Sequence, residues 1–237
     1  MDSFKDSILV LIPTYNEVEN IDSLILRLEN QGCVDWILIV DDSSTDGTLE
    51  KLDVLQRKYD NLFVHKRSGK LGLGTALRDG FRLALERFPF SRLVQMDGDL
   101  SHDPSYIPKM LLSQANMVVG SRYVYGSQII GWSLYRKILS RGANFLAQTF
   151  LGLRARDVTS GFRVYRRNVV EILVREANRK GYEFQVEAVW VAKKHGIDVE
   201  EIPIMFTERF RGKSKLRLSE VKRLLDLIFD KMWGKKI

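Results

Sequence analysis

Leu93-Val94-Gln95-Met96-Asp97-Gly98-Asp99-Leu100-Ser101-His102-Asp103-Pro104 is the stretch on which the reading of the chain turns. Leu93, Val94 and Met96 give its opening the character of a buried strand approaching its end. Asp97 and Asp99 follow, with Gly98 between them. Side chains two apart on an extended chain point the same way, so both carboxylates can reach one hard cation. Gly98 has no Cβ and is expected to leave room for a ligand against the backbone. Asp103-Pro104 then opens a helix, aspartate as cap and proline at the first helical position. A carboxylate pair at the carboxyl end of a strand stands where open α/β sheets hold their ligands. A bare Asp-X-Asp also describes a solvated turn, so its surroundings decide.

Upstream, residues 8–12 (ILVLI) form an apolar run suited to a central parallel strand, which Pro13 is expected to end. Ile21, Leu24, Ile25 and Leu28 follow at helical spacing. Trp36 to Val40 reads as a second buried strand, ending in Asp41-Asp42-Ser43-Ser44. Asp46 is expected to cap the next helix, which turns Leu49, Leu52 and Leu55 inward. A short strand over 61–65 and a helix over 73–88 lead to the strand before Asp97. This alternation predicts a parallel sheet with right-handed crossovers. The carboxyl ends of its strands then share one edge, bringing Pro13 to Glu17, Asp41 to Ser44, Lys66 to Gly74 and the Asp97–Asp99 pair together. Glu17 and Asp42 would repel phosphates but suit hydroxyls and ring N–H groups, and Tyr15 offers a face on which a base can stack.

Downstream, Met117 to Gly120 reads as a strand, 131–151 as a long helix and Arg163 to Tyr165 as an edge strand. A helix over 186–194, one or two strands around Pro203, and a helix over 219–233 complete the chain. The last helix places Val221, Leu224, Leu225, Ile228, Phe229 and Met232 on one face. One α/β domain over 1–216 with a C-terminal amphipathic appendix over 217–237 is the organisation expected.

The 237 residues carry 37 Lys and Arg against 30 Asp and Glu, a net charge of +7. That balance suits phosphorylated ligands, an anionic membrane surface or nucleic acid alike. No basic stripe interleaved with aromatics is present, which sets nucleic acid aside as a partner. Cys33, the single cysteine, excludes an internal disulfide, and His65, His102 and His195 are too scattered for a metal set. The opening residues do not form a signal peptide, and the aliphatic runs fall well short of a membrane span. Lys70 to Ala76 (KLGLGTA) is a glycine-bearing loop opening a helix and a plausible anion cradle. It is neither a P-loop nor a dinucleotide fingerprint, because no Gly-Lys-Ser/Thr follows and position 77 is leucine.

PTYNE (13–17), DDSSTDGT (41–48), KLGLGTA (70–76), MDGDLSHDP (96–104), GSRY (120–123), SRGAN (140–144), DVTSGFRVY (157–165), GYEFQVE (181–187) and ERFRGKSKL (208–216) occur in this order. Together they resemble the dolichol-phosphate mannose synthases, a branch of the family 2 glycosyltransferases with the GT-A fold. The resemblance spans about residues 7–216. It implies a mostly parallel central sheet flanked by helices, and inverting transfer of mannose from GDP-mannose to dolichyl or another polyprenyl phosphate. A glucosyltransferase using UDP-glucose is the alternative within the same fold.

By that resemblance Pro13, Tyr15, Glu17, Val40 and Asp42 belong to the guanosine pocket. Asp97 and Asp99 hold Mg²⁺ or Mn²⁺ on the diphosphate with Gly98 between them, and Ser101 is a third ligand candidate. Arg209 and Lys215 close over the phosphates, flanked by Gly212 and Ser214. Arg122, Arg136, Ser140 and Arg141 are the acceptor-phosphate candidates, arginine being the best match to a phosphate. A general base is not required, since a phosphomonoester with second pKa of about 6 is largely dianionic at neutral pH. Ile129, Ile130, Trp132, Leu134, Tyr135, Ile138 and Leu139 would supply an interfacial helix for the lipid tail, and the 219–233 helix has the same character. The expected location is the cytoplasmic face of a membrane, with small membrane-anchoring subunits as candidate partners.

Overall fold

Four parallel strands carry the first half of the chain: β1 (Ile8–Thr14), β2 (Trp36–Asp41), β3 (Leu62–Lys66) and β4 (Arg92–Gln95). They lie in the order β3-β2-β1-β4. In this computed structural model, which describes residues 7–208 and 218–234, the runs at 8–12 and 36–40 are apolar throughout because both faces of the sheet are covered. Leu9, Leu11, Leu38 and Val40 pack beneath α3 (Leu73–Arg87) with Leu77 and Phe81. Ile8, Val10, Ile12, Ile37 and Ile39 pack on the opposite face with Ile21, Leu24 and Leu28 of α1 (Ile21–Glu29) and Leu52 of α2 (Thr48–Gln56). Burying a large aliphatic side chain contributes about 1.5–3 kcal/mol, so these two layers fix the register.

Pro13 does not end β1. The strand continues to Thr14, in register with Asp41. Pro13 lacks an amide hydrogen, but its neighbours keep the ladder: Met96 N–H donates to Leu11 O at 3.2 Å and Asp42 N–H to Thr14 O at 2.9 Å.

After β4 the chain makes a 3₁₀ turn at Pro104–Tyr106, capped by Asp103, and enters α4 (Ile107–Leu111). Then come β5 (Met117–Ser121), β6 (Gln128–Ile130), α5 (Leu134–Leu151), β7 (Arg163–Arg166), α6 (Arg167–Glu176), α7 (Phe184–Lys194), β8 (Val199–Pro203), β9 (Met205–Thr207) and α8 (Leu218–Met232). The sheet extends past β4 as β7-β5-β8, with β7 antiparallel to both neighbours.

β7 is therefore interior, not the edge strand that Arg163 to Tyr165 suggested. Arg163 is tolerated there because it is fully buried with its guanidinium donating to Ser160 O at 2.8 Å and Val158 O at 2.9 Å. Ile129 and Ile130 also differ from expectation. They lie in β6, paired parallel with β9 in a small second sheet, and take no part in α5. Helix α5 starts only at Leu134, where the Ser133 hydroxyl accepts from Arg136 N–H.

Helix α8 packs against α5. Leu224, Leu227 and Ile228 join the core, whereas Leu225, Phe229, Met232 and Trp233 are exposed. The stripe read from the sequence is thus divided between the core and the outside. Among the described residues no helix is long and apolar enough to cross a membrane.

Candidate active site

The carboxyl ends of β1, β2 and β4 each turn through a non-glycine residue with left-handed backbone: Asn16 (φ 59°), Ser43 (φ 60°) and Leu100 (φ 62°). Asparagine tolerates this region, while for leucine it is strained by about 1–3 kcal/mol. Cross-links between the loops hold the conformation. Asp41 accepts from Thr14 Oγ1 at 3.0 Å and Ser44 N at 2.7 Å, and Ser44 Oγ accepts from Asn16 N at 2.8 Å. Thr48 Oγ1 accepts from Glu17 N at 2.9 Å. Asp46 accepts from Thr48 N at 3.1 Å from just outside α2, and left-handed Gly47 takes the cap position itself.

Within the Asp97–Asp99 turn, Asp99 is buried and its Oδ1 accepts from Ser101 N at 3.0 Å and from the Ser101 hydroxyl. Ser101 thus spends its hydroxyl orienting Asp99. Asp97 N–H donates to Nδ1 of His102 at 3.1 Å, which requires that nitrogen to be unprotonated. Burial pushes the imidazole pKa down and outweighs the opposing pull of Asp97 and Asp99. His102 is accordingly neutral, although its Nδ1 stands 3.8 Å from an Asp97 oxygen. The space expected beside Gly98 is filled by protein: a Cβ there would stand 3.1 Å from Thr14 Cγ2 and 3.5 Å from Glu17 Cγ. Gly98 lets β4 approach β1 and leaves no pocket of its own.

The glycine loop is a cradle, but its anion belongs to the protein. Leu71 N–H and Gly72 N–H both donate to the Asp42 carboxylate, at 3.0–3.1 Å. Arg67 binds the same carboxylate and reaches Asp79 with its other nitrogens. Gly74 N–H donates to Lys180 O at 2.9 Å. A Cβ at Gly74 would sit 2.2 Å from Arg179 O, and one at Gly72 2.6 Å from Lys180 O. Two stretches of backbone therefore meet with no side chain between them. Gly74→Ala should displace this contact and cost about 3 kcal/mol in urea unfolding; a loss within error of zero would show that the segments part freely.

Pro13, Tyr15, Glu17, Asp42, Asp97 and Asp99 line one cavity of about 510 Å³. Val40 is fully buried in the core and outside that lining. The far wall was not foreseen: Lys180, Gly181 and Tyr182 before α7, and Glu220 and Arg223 of α8. Gly181 and Tyr182 stood out in sequence only as part of GYEFQVE. Lys70 lies over the Tyr15 ring, Nζ 3.6 Å from its centroid, on the residue expected to stack a base. Asp97 and Asp99 offer hard oxygen donors opening on this cavity, a set that fits Mg²⁺ or Mn²⁺ completed by water and phosphate oxygens. Among the described residues no group of three His, Cys, Asp or Glu forms a protein cage for a metal. Arg209 and Lys215 lie outside the described residues.

The acceptor candidates Arg122, Arg136, Ser140 and Arg141 gather around Tyr123 and Trp132. Tyr123 Oη donates to Ser140 Oγ at 2.7 Å; Arg122 and Arg141 stand 5.7 and 5.9 Å from the Tyr123 ring. Arg136 lies 4.3 Å over Trp132. The fork of Arg122 is held by Asp157: Nε to Oδ2 at 2.7 Å and Nη2 to Oδ1 at 2.8 Å, with Nη2 also reaching Thr159. Arg136 pairs with Glu208 at 2.6 Å. Arg141 is exposed and, with Arg122 and Arg156, lines a second depression of about 580 Å³. Phe206 joins the two regions, lying 5.3 Å from Arg122 and 5.5 Å from the His102 ring.

The polyprenol monophosphomannose synthase of Mycolicibacterium smegmatis is 39% identical over 231 residues, covering 95% of this chain and 86% of that protein. The undecaprenyl-phosphate mannosyltransferase of Micrococcus luteus is 37% identical over 212 residues, covering 88% and 87%. Among solved structures, glucosyl-3-phosphoglycerate synthase from Mycobacterium tuberculosis, in complex with Mn²⁺, UDP-glucose and glycerol 3-phosphate, superposes with a TM-score of 0.67. It is 19% identical, covering 98% of this chain and 82% of that one, and so speaks to the shared GT-A fold. The sequence profile of glycosyl transferase family 2 matches residues 9–173, and the chain belongs to that family.

Proposed function

We propose that this protein transfers mannose from GDP-mannose to a polyprenyl phosphate, with inversion at the anomeric carbon. The reading is supported by one cavity lined together by Tyr15, Glu17, Asp42, Asp97 and Asp99. It is supported equally by two relatives, at 37–39% identity over most of their length, named for mannose transfer or mannosyl-phosphate synthesis on polyprenols. In the reaction an oxygen of the lipid phosphate attacks the anomeric carbon as the bond from that carbon to the diphosphate oxygen breaks, and GDP departs with the bonding electrons. Mg²⁺ or Mn²⁺ held by Asp97 and Asp99 would supply Lewis-acid charge to the leaving diphosphate. Ser101 orients Asp99, and neutral His102 fixes the Asp97 backbone. Glu17 meets the hydroxyls and ring N–H groups of the nucleoside, and Asp42 sets the loop beside them. Arg141, with Arg122 and Arg136 next to it, draws in the acceptor phosphate, and Arg209 and Lys215 complete the phosphate contacts.

The membrane surface is the proposed partner of the exposed side chains on α5 and α8. Leu134, Tyr135, Ile138 and Phe145 alternate with Lys137 and Arg141 on α5, and Phe229 and Trp233 end α8. An apolar face flanked by cations suits an anionic cytoplasmic leaflet. Phe229→Ser with Trp233→Ser should lower the partition constant onto anionic vesicles about a thousandfold, since two aromatics at on the order of 2 kcal/mol of burial each contribute about 4 kcal/mol together. Undiminished binding would move the contact elsewhere.

The decisive assay offers radiolabelled GDP-mannose and, separately, UDP-glucose with a short-chain polyprenyl phosphate. Transfer from GDP-mannose alone is expected. Transfer from UDP-glucose alone would replace the donor assignment.

A further inference from the structure

Helix α8 is bolted to the wall of the donor cavity through one buried carboxylate. Glu187, on α7, is fully buried. Its Oε2 accepts from Asn178 N–H and Arg179 N–H, both at 2.8 Å. Its Oε1 stands 3.0 Å from Nζ of Lys231 on α8, and that ammonium also lies 4.4 Å over the Trp190 ring. Beside it, Arg179 pairs with Asp230 of α8. One turn of α8 is thus joined to the 178–182 segment at two adjacent points.

That segment touches the cavity on both its sides. Its backbone receives Gly74 N–H at Lys180 O, against the loop that Asp42 holds. Lys180, Gly181 and Tyr182 line the cavity, and Glu220 and Arg223 of α8 line it next to them. The ends of two side chains reach over Gly181: a Cβ there would stand 2.6 Å from both Arg223 Nη1 and Glu183 Oε2. Glu187 itself touches none of the cavity. Its carboxylate binds the two amides and the lysine that keep this wall in place.

We propose that Glu187 is a positioning residue for the nucleotide, acting through the 178–182 segment and α8. This rests on the reading of the cavity as the donor site. A carboxylate that only stabilised the fold would, on removal, lower the melting temperature and leave the affinity of the folded protein unchanged. A positioning carboxylate moves both, because without its charge the half-buried Lys231 stands against Trp190 with no counter-charge there, and only the Arg179–Asp230 pair still ties this segment to that turn of α8.

The test uses the full chain and the variants Glu187→Gln, Lys231→Gln and the double variant, with Glu176→Gln as control. Glu176 pairs with exposed Lys194 and His195, away from the cavity. Binding of GDP with Mn²⁺, and of UDP with Mn²⁺, is measured by titration calorimetry at a temperature where every variant is folded. Either single variant should weaken nucleotide binding about tenfold, and the double variant no more than either single. The KM for the sugar nucleotide should rise by the same factor, with the KM for polyprenyl phosphate unchanged and Glu176→Gln indistinguishable from wild type. Lowered melting with nucleotide affinity within twofold of wild type would overturn the proposal, as would strict additivity in the double variant. If wild type binds UDP and not GDP, the donor assignment falls while the variant comparison is made on UDP. If it binds neither, both fall together.

Discussion

Replacing Asp99 with asparagine is expected to slow mannosyl transfer about a thousandfold while the unfolding midpoint stays close to that of wild type. Asparagine keeps Oδ1 to accept from Ser101 N–H and the Ser101 hydroxyl, the contacts that fix the left-handed turn at Leu100. What it loses is a formal charge among hard oxygen donors. Lewis-acid stabilisation of a leaving diphosphate amounts to several kcal/mol, and about 4 kcal/mol is a factor of about a thousand in rate. Turnover at saturating Mg²⁺ and at saturating Mn²⁺, alongside thermal unfolding, is the measurement. Transfer within tenfold of wild type in either metal would remove Asp99 from the ligand set.

Arg122→Ala should be the most destabilising exchange near the acceptor cluster, costing about 3–5 kcal/mol. Asp157 is fully buried and its two oxygens receive Nε, Nη2 and the backbone N–H of Arg122. Truncating the arginine strands that charge. Arg122→Met with Asp157→Leu removes both charges and should recover most of the loss; a double variant as unstable as the single would mean that packing, not charge, is responsible. The pair also sets an acid limit. Burial pushes the Asp157 carboxyl up, but the Arg122 charge and hydrogen bonds pull it further down, so its pKa in the fold lies below the ordinary carboxylate value. A carboxyl lowered by folding contributes stability in full above its unfolded pKa of about 3.9 and loses it as pH falls through the folded value. The melting temperature of wild type should therefore fall more steeply below about pH 4 than that of the double variant. Because Arg122→Ala disturbs the fold, exposed Arg141→Ala is the cleaner probe of acceptor phosphate: KM for the lipid should rise while GDP affinity holds.

Strands β1 and β2 were legible because a strand covered on both faces must be apolar throughout, and ILVLI and WILIV are. The site edge was legible for a related reason: parallel strands share their carboxyl ends, so Tyr15, Glu17, Asp42 and Asp97 had to converge. What escaped was pairing at a distance. Asp42 reads as a ligand for hydroxyls until Arg67 and the amides of Leu71 and Gly72 are seen around it. Arg122 and Arg136 read as phosphate grips without their carboxylate partners Asp157 and Glu208, which lie 35 and 72 residues away along the chain. Arg163 made β7 look like an edge because its partners are backbone carbonyls, which carry no sequence signal. Helix α6 was passed over although Val169, Val170 and Leu173 mark its inner face. The family motifs placed Gly181 and Tyr182 on record without saying which cavity they border.

The interior place of β7 governs how the polypeptide emerges from a ribosome. β4 and β5 are synthesised well before the strand that separates them. At about 5–20 residues per second, the roughly 40 residues between β5 and β7 leave two hydrophobic ribbons without their shared neighbour for several seconds. During that interval each presents an open row of amides and carbonyls to any other nascent chain. Expression slowed by low temperature or rare codons within 122–162 should raise the aggregated fraction, whereas the same delay introduced after Arg166 should not.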